Sequence, residues 1–141
     1  MKWFIERVNN RLTLEACGVS VEVEKALFQR LSEKLPYNEE ESREYKEIDD
    51  ELRERIEETI KIEGSKSRNI CCGWASSPGS HSKCISFIQL LRREISILNV
   101  YMRSSDILRF SNDLAFLCRL ALKNQVDLLQ IHIGSSHLYL E

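Results

Sequence analysis

Residues 100–113 read VYMRSSDILRFSND. An apolar, strand-like run here ends on Arg103, Ser104 and Asp106, so it exchanges burial for a group of hydrogen-bonding side chains. A planar guanidinium fork beside a hydroxyl suits an anion better than a lysine would. Five residues later the cluster Ser111-Asn112-Asp113 has the chemistry of a helix start: Ser111 or Asn112 as the cap, Asp113 as the acid of the first turn. Cys84 follows Lys83, and a neighbouring cation favours the thiolate that a nucleophilic cysteine needs. Taken alone, Cys84 reads more readily as a small apolar strand residue like Cys71 and Cys72 than as a nucleophile. His137 and Tyr139 stand two apart, a spacing that puts both side chains on one face of an extended segment.

Something must position these groups, and 141 residues are enough for one domain with a sizeable core. Hydrophobic residues at 43% and charged residues at 30% fit an ordinary globular chain. No apolar run approaches the length of a membrane span, and the opening MKWFIERVNNR carries charges where a signal peptide needs an apolar stretch. The expectation is a cytoplasmic protein without a membrane partner. Five cysteines, an odd number with no histidine at a zinc-finger spacing, predict reduced thiols and no metal site. Half of the 22 acidic residues fall between Glu39 and Glu58, which leaves residues 64–141 mildly basic. That balance suits a small anionic ligand and is too weak for a nucleic-acid track.

Along the chain, KWFIERV and RLTLEA are short strand-like pieces broken by Asn9-Asn10 and Gly18. Val23, Leu27 and Leu31 predict a helix from about Val21 to Leu35, ended by Pro36. Ile48, Leu52, Ile56 and Ile60 predict a second from about Tyr45 to Ile62, closed by Gly64. NICCGWA reads as a buried strand and SSPGSHS as a loop. CISFIQLL and ISILNVYM form a hairpin around Arg92-Arg93-Glu94. A helix from about Asn112 to Lys123 and a last strand DLLQIHI, before GSSHLYLE, complete an α+β domain with a mixed sheet.

The C-terminal half resembles the thymidylate synthase and pyrimidine-nucleotide hydroxymethylase family. The resemblance is carried by SRNICCGW, by CISFIQLLRREISILNVYMRSSDI and by GSSHLY, over roughly residues 66–141. The middle stretch keeps the family's order: a cysteine, a glutamine five residues on, a hairpin and a Tyr-x-Arg-Ser-x-Asp strand end. Residues 1–64 match no motif of the family, so the chain reads as one thymidylate synthase-like domain with its nucleotide-binding core at 65–141.

The resemblance implies a transferase of one-carbon groups to carbon-5 of a pyrimidine nucleoside monophosphate. The donor would be 5,10-methylenetetrahydrofolate and Cys84 the nucleophile. It implies a phosphate grip by Arg103 and Ser104, with Arg68 reaching the partner's phosphate across a homodimer interface. It also implies a ribose-binding pair in His137 and Tyr139, and Gln89 near the base. Asp106 would meet the folate, although an aspartate at that place could equally cap a turn. The family reads the base edge with asparagine in uracil-specific members and aspartate in cytosine-specific ones. Asn112 or Asp113 could hold that position; Asp113, followed by an apolar residue as in the family, is the better match, so a cytidine nucleotide is expected. Family enzymes carry a catalytic glutamate in an early helix, for which Glu24 is the candidate. Lys83 and Ile85 replace the residues that usually flank the cysteine, and one of two adjacent arginines is missing at Arg68. Family enzymes also continue past the equivalent of Glu141 into a segment that closes over the folate. The nucleotide half of the site is therefore expected intact and the folate half reduced, which leaves a catalytically inactive nucleotide-binding relative as the alternative.

Overall fold

The computed structural model describes residues 2–34, 39–63, 69–74 and 84–140. In chain order the elements are β1 (Trp3–Val8), β2 (Arg11–Glu24), α1 (Lys25–Lys34), α2 (Glu39–Glu63), β3 (Asn69–Gly73), β4 (Ile85–Arg92), β5 (Ser96–Asp106), α3 (Phe110–Lys123) and β6 (Leu128–Tyr139). The six strands form one sheet in the order β1-β2-β6-β5-β4-β3. All neighbours are antiparallel except β5 and β6, whose parallel pairing requires the crossover that α3 supplies. The class is α+β with a mixed sheet.

Period-two alternation divides each strand between two faces. Leu98, Val100 and Met102 of β5, Leu129, Ile131 and Ile133 of β6, and Ile88 and Leu90 of β4 are buried together with Phe28, Ile48, Leu52, Phe116, Leu117 and Leu120 of the helices. Burial of this set on a single face is the main source of stability, at ~25 cal/mol per Å² of apolar surface. The other face carries a polar and aromatic ladder. Asn99 donates to Gln89 at 3.3 Å, Gln89 donates to Asn69 at 3.1 Å, and the Tyr101 ring stacks on His132 at 4.7 Å.

The N-terminal region departs from its expected organisation. Asn9 and Asn10 both take positive φ, 51° and 63°, and make the two-residue turn that lets β1 fold back on β2. Gly18, at φ 68°, does not break the strand; it is absorbed within β2, which runs on to Glu24. The helix expected from Val21 starts only at Lys25, because Val19, Val21 and Val23 follow the strand period and pair with Ile133, Ile131 and Leu129. Its buried apolar residue is Phe28, with Ser32 also buried, and Leu27 is turned outward at 46% exposure. The second helix starts at Glu39, six residues before its expected start; Ile48 and Leu52 of the expected stripe are buried, Ile56 packs against the core, Tyr45 extends the stripe, and Ile60 is exposed. The third starts at Phe110, two residues early, with Arg109 as N-cap and no side-chain cap bond, so neither Ser111 nor Asn112 caps it; Asp113 does lie in its first turn. The last strand is continuous through Gly134, where a β-carbon would stand 2.8 Å from the Arg103 carbonyl oxygen. Pro36, Gly64 and the SSPGSHS loop lie outside the described residues.

Candidate functional site

The strand face that buries leucine, valine and methionine becomes polar where β5 and β6 run on. After Met102 the same series continues to Ser104 and Asp106, and after Ile133 to Ser135, His137 and Tyr139. Parallel pairing sets Ser104 beside Ser135 and Asp106 beside His137. A cavity of about 650 Å³ opens over these strand ends, lined among others by Cys84, Ser104, Asp106, Asp113, His137 and Tyr139. That volume lies within the range of small-molecule sites. Six residues singled out from three separate stretches of sequence thus share one cavity.

Each is held by its element. The Arg103 amide donates to the Cys84 carbonyl at 2.9 Å, which fixes the exposed Cys84 beside the end of β5. Asp106 Oδ1 accepts from the Leu108 amide at 3.0 Å, and the Ile107 amide donates to the His137 carbonyl at 2.9 Å. This turn brings Arg109 to the cavity wall. The His137 and Tyr139 rings lie 5.1 Å apart and tilted, as two residues on one strand face should, and the Arg11 guanidinium sits 3.8 Å from the centre of the Tyr139 ring.

Across the cavity stands α2. Tyr45 donates to Asp113 Oδ1 at 2.5 Å, and its ring stacks on Phe116 at 4.3 Å with the planes 11° apart. Glu44, the residue before it, lines the cavity as well. The other thiols are placed differently. Burial holds Cys118 protonated, its thiol pushed up to about 11, and burial also raises Cys72. Cys17 is raised by desolvation and by the Glu15 carboxylate. Among the described cysteines, Cys84 is the one on the cavity wall.

The remaining candidates are not brought there. Glu24 is a strand residue, not a helical one; it pairs with Leu128 at the start of β6, the end of that strand remote from His137. Gln89 lies mid-strand between the buried Ile88 and Leu90, and alternation sends it to the opposite face, into the amide ladder. Arg103 is exposed and does not line the cavity; consecutive strand residues face opposite ways, so Ser104 and Arg103 divide between the two sides. Asn112 also lies off the cavity wall, one residue and ~100° of helix turn from Asp113. Trp74 is half-buried and its indole donates to the Glu51 carboxylate. Arg68 and Lys83 lie outside the described residues.

Arg11, Glu44, Tyr45 and Arg109 line the cavity without having been singled out in the sequence. Glu44 is hidden among the eleven acids of residues 39–58, and Arg11 belongs to the N-terminal part, which carries no motif. Tyr45 had a signal, since it precedes Ile48 by three positions and so extends the apolar stripe of its helix.

Among the described residues no group of histidine, cysteine and acidic side chains could hold a metal ion, and no helix is long and apolar enough to cross a membrane. Compared with known proteins, the chain matches no family model and no curated protein.

Proposed function

We propose that this is a thymidylate synthase-like domain that binds a pyrimidine nucleoside monophosphate and transfers a one-carbon unit to its carbon-5. The observation that carries the reading is the convergence of Cys84, Ser104, Asp106, Asp113, His137 and Tyr139 on one cavity. A cysteine, an acid, a histidine and a tyrosine meeting there provide a nucleophile and several hydrogen-bonding groups within reach of one ligand.

In this reading the Cys84 thiolate adds to carbon-6 of the ring and makes carbon-5 nucleophilic. Carbon-5 would then take the one-carbon unit and lose its proton while the bonds of that carbon to the folate nitrogens break and the folate leaves; water would complete the hydroxymethyl group, and the thiolate would leave as the ring double bond returns. Methylenetetrahydrofolate would supply the carbon when bound, and Asp106, on the cavity wall, would meet it. Glu44, on an early helix and on the cavity wall, replaces Glu24 as the carboxylate for proton transfer. The phosphate grip moves from Arg103 to Arg11 and Arg109, with Ser104 retained. His137 and Tyr139 take the ribose, and Asp113 reads the base.

The homodimer belongs to the same reading. The sheet face opposite the helices, with Tyr101 and His132 on it, would meet its copy, and Arg68 would reach across.

Calorimetric titration with the cytidine and uridine monophosphates, ribose and deoxyribose forms alike, tests the binding half. Saturable binding that is tightest for a cytidine nucleotide is expected. Absence of binding by all four would overturn the reading.

A further inference from the structure

We infer that Tyr45 is a positioning residue for base selection: by donating to Asp113 it holds that side chain as a proton acceptor, so the cavity favours an amino pyrimidine over an oxo pyrimidine. The inference rests on the pyrimidine-nucleotide reading and adds a selecting element from the opposite wall of the site.

Three observations carry it. The Tyr45 hydroxyl stands 2.5 Å from Asp113 Oδ1, the shortest range of an O–H···O⁻ bond. The ring is 3% exposed and stacked on Phe116, so the hydroxyl has little freedom to leave. Asp113 and Phe116 are three residues apart on α3, hence on one side of that helix, and together they fix both ends of the tyrosine. The contact also joins α2 to the wall that carries Asp113, across 68 residues of sequence.

The chemistry follows from the donor and acceptor inventory. A phenol O–H lying on a carboxylate oxygen is satisfied only while that oxygen accepts. An ionised carboxylate has about four lone-pair sites, so Asp113 can accept from Tyr45 and from a ligand at once. Facing such a group, the exocyclic amine of cytosine donates, whereas the carbonyl oxygen that uracil carries at the same ring position places acceptor against acceptor. A protonated Asp113 could donate to that carbonyl and would lose the distinction. Tyr45 opposes that state because its hydrogen bond is stronger to the ionised carboxylate than to the neutral acid, so it favours the ionised form.

The test is calorimetric titration of the unmodified protein, Tyr45→Phe, Asp113→Asn and Phe116→Leu with cytidine and uridine 5′-monophosphates. The unmodified protein should favour the cytidine nucleotide, and Asp113→Asn should reverse the order. Tyr45→Phe keeps the ring and its stack, so it should fold, and it should narrow the preference roughly tenfold, about the size of one charge-assisted hydrogen bond. Phe116→Leu, which removes the stacked ring and keeps the hydroxyl, should cost clearly less of the preference than Tyr45→Phe. An unchanged preference in Tyr45→Phe, or equal losses of preference from Tyr45→Phe and Phe116→Leu, would assign Tyr45 to packing and overturn the inference. Failure of the unmodified protein to bind either nucleotide would instead overturn the reading of the cavity, and the role of Tyr45 with it.

Discussion

At the residue scale, the clearest lesson concerns which arginine serves the cavity. Arg103 draws attention in the sequence because a strand ends on it, yet a strand end has two sides, and the period-two rule assigns Ser104 to the cavity and its neighbour to the other face. Sequence spacing alone cannot tell which of two adjacent residues turns inward unless the buried series of the strand is known. Arg11 and Arg109 were hidden for a different reason, since each comes to the wall through a turn or a long-range strand pairing. The expected outcome is that Arg11→Ala or Arg109→Ala weakens binding of a nucleoside monophosphate about tenfold or more, while Arg103→Ala changes it little. Titration of the three variants decides it, and a dominant loss in Arg103→Ala would restore the original assignment.

At the element scale, the site depends on how closely β5 and β6 approach where they leave the core. Gly134 allows that approach, because a β-carbon there would meet the backbone oxygen of Arg103 at 2.8 Å, and backbone cannot swing away as a flexible side chain can. Gly134→Ala should therefore cost about 1–3 kcal/mol as an overpacking change, seen as a fall in Tm of roughly 3–10 °C. An unchanged Tm would show that the two strands can separate freely at that point. The long amphipathic helix α2, the hairpin of β4 and β5 and the crossover α3 were legible because each shows a single clean period over many residues. The stretch around Val21–Leu31 was not, since Val23, Leu27 and Leu31 satisfy the helical spacing while Val19, Val21 and Val23 satisfy the strand spacing. Tertiary pairing with β6 settles that contest in favour of a strand up to Glu24, and so places Glu24 at the far end of the sheet.

At the scale of the whole molecule, a one-sided core carries the site on its rim, and its stability should respond to base. Burial raises the Cys118 thiol to about 11, above its unfolded value, so the folded state binds the proton more tightly than the unfolded one. Its contribution is complete below pH ~8.5, the unfolded thiol's range, and is lost as the pH rises toward about 11. Urea unfolding at pH 8 and pH 10.5 should show that loss, and Cys118→Ala should lessen it; an equal alkaline loss in both proteins would assign it to other groups. Convergence of one cysteine with five polar partners is what the overall architecture achieves, and the proposed function turns on Cys84 adding to a pyrimidine ring. The most direct measurement is intact-mass analysis after incubation with 5-fluoro-pyrimidine monophosphates, of cytidine and uridine type, together with methylenetetrahydrofolate. Fluorine at carbon-5 cannot leave as the proton does, so a stable covalent adduct is expected on the unmodified protein and none on Cys84→Ser. Saturable nucleotide binding with no mass increase on the unmodified protein would contradict the account and leave the domain a binder of nucleotides without the reaction.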